Sequence, residues 1–302
     1  MKHKKGQDIN GWLVVDKPEG VGSTPVVNLT RRLFDAKKNG HTGTLDPFAS
    51  GVLPIAFGEA TKLISYVTDG DKEYEFVLKF GEATDTLDLT GKIVKDGGLL
   101  PSDEEILRIL PEFYGEIRQV PPAYSAIKIN GERAYDLARK GEQVEMPERI
   151  VKIYDLQFLG KVSESEAKFR VSCSKGTYVR TLGADLAEKL GTCGHLTALR
   201  RTKCGKFGIE DTILLENLKK SEYVDERKKY LLPLLTCLCD ITVIAVKEED
   251  AAKLKQGQSI SPRSYEVGRL MGQEAAAVLD NKPVAMVRVE KSKISPIRVF
   301  NL

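Results

Sequence analysis

Residues 40–54 read GHTGTLDPFASGVLP and place a single carboxylate, Asp46, within a segment rich in glycine and proline. Glycine lets the backbone approach a ligand closely, and proline restricts the backbone, so a loop of this composition can hold a carboxylate rigidly. A turn aspartate that hydrogen-bonds its own backbone before Pro47 is the structural alternative. The loop is therefore a candidate catalytic segment, and the surrounding sequence has to decide between the two interpretations.

Hydrophobic periodicity around this loop predicts a mixed α+β protein. A buried strand is expected at Trp12–Val15, and a helix capped by Ser23 or Thr24 follows it. Alternating strands are predicted in KEYEFVLKFG (72–81) and AKFRVSCSKG (167–176), and helices in SDEEILRIL (102–110), with a Ser102–Glu105 capping box, and TYVRTLGADLAEKLG (177–191). Residues 212–236 read as a helical connection, and the remaining chain as short strands of a small β-barrel with one short helix.

Composition excludes several classes of protein. A length of 302 residues favours two domains, and hydrophobic and charged fractions of 41% and 29% are typical of a soluble globular chain. No segment has the apolar length of a signal peptide or membrane span, so we expect no membrane association. Cys193, His195 and Cys204 lack the spacing of a zinc site, and no phosphate loop or dinucleotide fingerprint is present, so neither metal nor cofactor is predicted.

Several separate segments, taken in order over about residues 10 to 208, resemble the TruB family of tRNA pseudouridine synthases. These are the Asp46 loop, VVDKPEGVGST (14–24), KEYEF (72–76), GEATDTLDLTG (81–91), QVPPAYSAIKINGERAYDLARKG (119–141), GTYVRTLGADL (176–186) and HLTALRRTKCGKF (195–207). The resemblance implies a pseudouridine-synthase-like fold with a mixed, mainly antiparallel sheet flanked by helices. It also implies a catalytic domain at 1–238, an RNA-gripping insertion at about 118–148, and a PUA-like β-barrel at 239–302.

The activity implied by this resemblance is isomerisation of uridine 55 in the T loop of tRNA to pseudouridine, without a cofactor. The expected partner is tRNA, through its T stem-loop and acceptor end, and the expected state is a cytoplasmic monomer with no obligate protein partner. Two alternatives stay open. One is an RNA-binding or tRNA-folding chaperone, and the other is an RNA-guided pseudouridine synthase of a ribonucleoprotein.

Three residues are assigned to catalysis. Asp46 matches the family's essential aspartate, and attack on ribose, attack on the base and removal of a ribose proton are all compatible with a carboxylate. Arg180 lies in the first turn of its predicted helix, where a cation opposes the helix dipole at a cost of about 0.3–1 kcal/mol. An anionic partner removes that conflict, and the resemblance implies that this arginine lies beside the catalytic aspartate, so we predict an Asp46–Arg180 ion pair. Tyr74 matches the tyrosine whose ring stacks on the target base, and core packing is its alternative.

Substrate binding is assigned to a wider set of residues by the same resemblance. Lys17 and Pro18 match an early motif that supports the site, and Leu199 matches an apolar wall of the base pocket. The other members of the set are His41, Tyr178, Arg200, Lys128 and Arg139. Phosphate contacts are expected from basic clusters, so RNA affinity should fall steeply with salt. These clusters are Arg31, Arg32, Lys37 and Lys38; Arg200, Arg201, Lys203 and Lys206; and Lys128, Arg133, Arg139 and Lys140.

Overall fold

The computed structural model describes residues 6–125, 127–129, 131–140, 144–238, 240–265 and 267–302 of this protein, without the side chains at 133, 136, 138 and 139. The strands are β1 Gly11–Lys17, β2 Asn39–His41, β3 Ser50–Phe57, β4 Lys72–Phe80, β5 Glu82–Thr84, β6 Ile93–Asp96, β7 Gly115–Gln119, β8 Lys128–Ile129, β9 Glu132–Arg133, β10 Arg149–Lys161, β11 Glu166–Cys173, β12 Gly194–Cys204, β13 Phe207–Gly208, β14 Ile213–Leu214, β15 Val243–Ala245, β16 Glu274–Leu279, β17 Lys282–Val289 and β18 Ile294–Val299.

The helices connect these strands and flank the larger sheet. They are α1 Ser23–Leu33, α2 Ile64–Thr68, α3 Asp103–Ile109, α4 Ala134–Arg139, α5 Val179–Lys189, α6 Leu215–Lys220, α7 Val224–Lys228 and α8 Glu248–Lys255. Within the described residues, no helix has the length and apolar character needed to cross a membrane.

One large mixed sheet forms the centre of the molecule. Its strands run in the order β14-β1-β3-β12-β4-β11-β10-β7, with β2 paired to β3 and β13 paired to β12. Only the β1–β14 and β3–β12 pairs within this described sheet are parallel, so the predicted mixed, mainly antiparallel sheet is confirmed. The parallel β3–β12 pair lies beside β4 and brings the Asp46 loop next to Tyr74.

Both faces of this sheet are covered near β1 and β3. Successive side chains on a strand point to opposite faces, and here Leu13 and Val15 enter one apolar cluster while Trp12 and Val14 enter another. The first cluster is closed by helices α1, α3 and α5. Because both faces are buried, the strand reads as a continuous apolar run rather than an alternating one.

The predicted helix cap at Ser23 or Thr24 is wrong. Gly22 occupies the cap position of α1, and no side chain caps the helix there. The Ser23 hydroxyl instead donates to the carbonyl oxygen of Leu45 at 3.0 Å and accepts from its N–H at 2.8 Å. The Ser102–Glu105 capping box of α3 is confirmed, with both reciprocal hydrogen bonds present.

The C-terminal strands form an open sheet rather than the predicted closed barrel. The order is β15-β16-β17-β18, and the two edge strands are not paired with each other in the described part of the chain. Other elements cover both faces. Side chains such as Ala285 and Val287 pack against Leu254 of α8, whereas Met286 joins the cluster that contains Trp12. The C-terminal sheet does not have to close into a barrel to bury its apolar side chains, because other elements cover both of its faces.

Residues 120–148 form an excursion from one edge of the large sheet. Gln119, at the end of β7, pairs with Arg149, at the start of β10, so the chain leaves and returns at the same place. The excursion contains the β8–β9 hairpin and α4. The expected insertion at about 118–148 covers this excursion, and its role in holding RNA stays a prediction.

Candidate active site

The Asp46 loop is held in place by side chains from two other segments. Ser23 binds both main-chain groups of Leu45, as described above, and the carbonyl of Pro47 accepts from Lys17 Nζ at 3.3 Å. Asp46 closes a turn through its own carbonyl, which accepts from the N–H of Ala49 at 3.1 Å. Both neighbours of Asp46 are therefore fixed, and its carboxylate is positioned by the fold itself.

Lys17 acts as an internal support of this loop. Its side chain is completely buried, and its amine donates to the carbonyls of Pro18, Val21 and Pro47. Burial lowers the pKa of Lys17 to about 8, and the nearby Asp46 carboxylate opposes that shift. The predicted supporting role fits this geometry, whereas direct contact with RNA does not, because no part of the side chain reaches the surface. Pro18 is exposed.

The predicted ion pair between Asp46 and Arg180 is confirmed. Arg180 Nε lies 3.0 Å from Asp46 Oδ2, and the arginine side chain is 4% exposed. Its remaining nitrogens are fixed by other partners: Nη1 donates to Thr86 O at 2.9 Å and to Asp88 Oδ2 at 3.2 Å, and Nη2 to Tyr124 O at 2.9 Å. The guanidinium is thus a fixed positive charge beside the candidate catalytic carboxylate.

Burial raises the pKa of the Asp46 carboxyl above its usual value, and the Arg180 charge opposes this shift. The open side of the pocket nevertheless leaves 35% of the side chain exposed. A carboxylate in this setting is a stronger base than an ordinary aspartate and can still be reached by a ligand. Any activity that needs the ionised form should decline as the pH falls through this raised pKa.

A cavity of about 670 Å³ opens above Asp46. Tyr74 from β4 and Leu199 from β12 supply apolar surface to its walls, and Tyr178 lines it next to Arg180. Burial raises the pKa of the Tyr74 hydroxyl, and the charge of Arg201 opposes the shift, so Tyr74 is a neutral ring here. The volume lies in the range of small-molecule sites.

Arg201 is a buried part of the pocket that the sequence placed only in a basic cluster. It is 2% exposed, and its Nε donates to Val52 O at 2.8 Å. The residue lines the cavity on the same strand as Leu199, two positions away. The HLTALRR segment could have indicated this position, since side chains two residues apart on a strand, such as Leu199 and Arg201, share a face.

Arg200 points to the other face of β12 and does not line the pocket. Its guanidinium forms a two-point contact with Asp16, at 3.1 Å and 2.7 Å, on the far side of the sheet from Leu199. Alternation along the strand therefore turns Arg200 away from the cavity. A contact with RNA elsewhere stays a prediction.

Three other predicted residues lie away from the cavity floor. His41 ends β2, and its Nδ1 accepts from the N–H of Gly43 at 3.2 Å, while burial and the Arg201 charge lower the pKa of its ring. Lys128 is exposed on the β8–β9 hairpin. Arg139 ends α4, and its side chain lies outside the described part of the structure. Their contacts with substrate remain predictions.

Asp88 is a functional candidate that the sequence reasoning missed. It is 3% exposed, and besides Arg180 it binds the hydroxyls of Thr86 and Thr90 at 2.8 Å and 2.5 Å. The signal was the threonine-flanked aspartate of the TDTLDLT segment, since an acid surrounded by hydroxyls can be buried with its hydrogen bonds satisfied. Asp88 touches Arg180 and not the cavity, so it is a positioning residue.

Comparison with solved structures gives the fold class. The chain matches "Crystal Structure of a Cbf5-Nop10-Gar1 Complex" with a TM-score of 0.73 and 25% identity, covering 96% of this chain and 84% of that one. It also matches "Structure of H/ACA RNP bound to a substrate RNA containing 2'-deoxyuridine" with a TM-score of 0.74 and 23% identity, covering 100% and 92%. The architecture is therefore that of the pseudouridine synthases.

Comparison with families and relatives is more specific. Residues 31–179 match the model for the TruB family pseudouridylate synthase N-terminal domain, and residues 180–238 match the tRNA pseudouridylate synthase B C-terminal domain. A tRNA pseudouridine synthase B from Rhodospirillum rubrum is 45% identical, covering 100% of this chain and 99% of the relative. Another from Caulobacter vibrioides is 43% identical with the same coverage. The chain belongs to the TruB family of pseudouridylate synthases.

Proposed function

We propose that this protein is a tRNA pseudouridine synthase that isomerises uridine 55 of the T loop to pseudouridine. The observation that carries the proposal is the Asp46 carboxylate, paired with Arg180 at 3.0 Å on the floor of a cavity of about 670 Å³. Relatives with 45% and 43% identity over the whole chain are named tRNA pseudouridine synthase B, which supports the same substrate class.

The reaction breaks the bond between N1 of uracil and C1′ of ribose, rotates the base, and joins C5 to C1′. The proton leaves C5 and N1 gains one, so atoms and electrons balance within the nucleotide and no redox partner is consumed. Asp46 is the group placed to start this sequence, by attack on ribose, by attack on the base, or by removing a ribose proton. Its raised pKa favours any route in which the carboxylate bonds to carbon or takes a proton.

The target uridine is stacked within the T loop and has to be everted to reach Asp46. Eversion costs a few kcal/mol of stacking, and a base–aromatic stack restores roughly 1–3 kcal/mol. Tyr74 and Leu199 form the walls on which the everted uracil would pack. Phosphate contacts along the bound RNA supply the remaining affinity, so binding should weaken steeply with rising salt.

The domain roles follow from this proposal. Residues 1–238 form the catalytic domain, with the insertion at about 118–148 holding the T stem-loop. Residues 239–302 form a PUA-like RNA-binding unit that touches the acceptor end of the tRNA. The enzyme acts as a monomer in the cytoplasm and without a cofactor, and its buried free thiols at Cys173, Cys193 and Cys204 suit a reducing compartment.

The experiment has to distinguish the proposed function from two alternatives. One is guided modification within a ribonucleoprotein, since a solved neighbour with this fold is titled as a Cbf5-Nop10-Gar1 complex. The other is RNA binding or tRNA folding without chemistry. Purified protein should be incubated alone with an unmodified tRNA transcript and with a transcript in which cytidine replaces uridine 55.

We expect pseudouridine at position 55 of the first transcript and none in the second. A requirement for a guide RNA or for further proteins would support the ribonucleoprotein instead. Tight binding of both transcripts with no pseudouridine at any position would support the chaperone. Product at another uridine would show that the enzyme class is right and the target is wrong.

A further inference from the structure

One side of the pocket mouth is built from Arg149, the first residue of β10, and Tyr178. The guanidinium carbon of Arg149 lies 5.3 Å from the centre of the Tyr178 ring, within the range of a cation–π contact. Arg149 Nη1 also donates to Gly176 O at 3.4 Å. Both residues line the cavity.

The strand edge fixes this pair of side chains. Arg149 pairs with Gln119 across β10 and β7. The Gln119 side chain in turn accepts from Tyr178 N at 2.7 Å and donates to Tyr178 O at 3.1 Å. The main chain of Tyr178 is therefore fixed, and Arg149 is held by its cation–π contact with the Tyr178 ring and by its hydrogen bond to Gly176 O. A guanidinium has five N–H donors, so most of them remain available to a ligand.

The other cations that line the cavity are engaged within the protein. Arg180 and Arg201 are buried and bind carbonyls or carboxylates, as described above, and Lys72 donates to the carbonyls of Val67, Thr68 and Gly70. These three are committed to holding the fold, so they have little capacity to bind an incoming anion.

The charged side chains near the opening of the cavity also differ in whether they form ion pairs. Lys175 Nζ lies 3.0 Å from Asp69, and the Glu148 carboxylate lies 3.8 Å from Arg118 Nη1. Among the residues that the structure describes, Arg149 has no carboxylate within the 4.0 Å of an ion pair. It is thus the pocket-lining cation whose charge is left for a ligand.

We propose that Arg149 binds a backbone phosphate of the RNA beside the everted uridine. This inference rests on the proposed function. A guanidinium presents a planar fork that matches two phosphate oxygens, and the Tyr178 ring supports its opposite face. Arg149 also stands where the 120–148 excursion returns to the sheet, so an RNA held by that excursion would pass Arg149 on its way into the cavity.

The test compares Arg149→Ala and Arg149→Lys with Lys152→Ala, each in the full chain. Lys152 is a matched control, because it lies on the same strand with its amine 5.6 Å from the Tyr154 ring and does not line the cavity. Both alanine variants remove one positive charge from β10. Steady-state kinetics on an unmodified tRNA transcript should be measured at several salt concentrations, with far-UV circular dichroism to verify folding.

Arg149→Ala should raise KM about tenfold with kcat changed less than about twofold, and the salt slope of log KM should fall by roughly 0.7–0.9. Arg149→Lys keeps the charge and loses the fork, so its KM should lie between those of wild type and Arg149→Ala. Lys152→Ala should match wild type within about twofold.

Equal KM values for Arg149→Ala and Lys152→Ala would overturn the inference, as would a fall in kcat with KM and salt slope unchanged. If Arg149→Ala does not fold, the Arg149→Lys variant decides by the same criteria. A wild-type protein that forms no pseudouridine would instead refute the proposed function, so the two failures are distinguishable.

Discussion

At the scale of single residues, the site depends on a chain of charges, Asp46–Arg180–Asp88, in which Arg180 and Asp88 are buried. Arg180 lies between the two carboxylates, 3.0 Å from Asp46 and 3.2 Å from Asp88. Asp88 is also bound by Thr86 and Thr90, so it keeps the guanidinium in one orientation. Removing one member of a buried ionic network leaves an uncompensated charge, which is strongly unfavourable.

Asp88→Asn should therefore impair catalysis more than RNA binding. An amide cannot compensate Arg180 and also accept from both threonines, so Arg180 will shift relative to Asp46. We expect kcat to fall at least tenfold, and the free energy of unfolding to fall by about 3 kcal/mol. Asp85→Asn is the control, since this nearby residue is exposed and its carboxylate accepts from the N–H of Lys92 at 2.8 Å, a bond that the amide oxygen of asparagine can also accept. Equal kinetics in both variants would contradict a positioning role for Asp88.

Lys17 gives a prediction about pH and stability. Its pKa is about 8 when folded against 10.5 for an unperturbed lysine, so between these values the folded chain binds fewer protons than the unfolded chain. Its contribution to the free energy of unfolding therefore rises with pH across this window, by about 2 kcal/mol between pH 7.5 and 9.5.

Urea unfolding of wild type and Lys17→Met at these two pH values isolates this contribution, because methionine has a similar length and no charge. The stability difference between wild type and variant should change in favour of wild type at the higher pH. A difference that is independent of pH would show that burial does not lower the pKa of the Lys17 amine.

At the scale of elements, the site is created where β3 runs parallel to β12. Gly51 pairs with Arg201 at this crossing and has a φ of +103°. A Cβ placed on Gly51 would lie 2.2 Å from the carbonyl oxygen of Arg201. The close approach of the two strands, which sets Leu199 and Arg201 beside the Asp46 loop, therefore requires glycine at this position.

Gly51→Ala should destabilise the protein by about 3 kcal/mol or more and reduce activity, because β12 has to move. Gly20→Ala is the matched control: its φ is +78°, and no heavy atom lies within 4 Å of the position its Cβ would occupy. Backbone strain alone should cost that variant roughly 1–2 kcal/mol. Similar urea midpoints and activities for the two variants would contradict a tight β3–β12 crossing.

Elements with strong local patterns were predictable from the sequence, and their side-chain contacts were less so. The alternation in β4 and the capping box of α3 are local, and both are present. Ser23 was misassigned as a cap because its partner, Leu45, is 22 residues away. In the HLTALRR segment the sequence indicated a cluster of charges, whereas the alternation of the strand turns Arg201 into the cavity and Arg200 away from it.

At the scale of the whole molecule, the large sheet and the C-terminal sheet share one apolar cluster. Trp12 and Phe207 from the large-sheet part pack with Met286 and Phe300 from the C-terminal part. Polar contacts reinforce this contact, including a 2.5 Å hydrogen bond from the Tyr66 hydroxyl to Glu274. The sequence predicted two separate units from a change in pattern, whereas their packing depends on long-range contacts that no local pattern contains.

The shared cluster predicts cooperative unfolding, and Trp12, the single tryptophan of the sequence, reports on it. Phe300→Ala should lower stability by about 3–5 kcal/mol and shift the fluorescence and circular dichroism transitions together. Leu302→Ala is the control, because this nearby residue is 58% exposed. A Trp12 transition that stays at the wild-type midpoint in Phe300→Ala would indicate that the two sheets unfold independently.

The measurement that tests the central claim most directly is single-turnover pseudouridine formation by Asp46→Asn, with RNA affinity measured on the same preparation. Asparagine keeps the shape of Asp46 and removes the charge that Arg180 faces at 3.0 Å. We predict that tRNA still binds within about threefold of the wild-type affinity, since phosphate contacts dominate binding, and that no pseudouridine forms. Turnover by Asp46→Asn near the wild-type rate would contradict the assignment of this carboxylate to the chemistry.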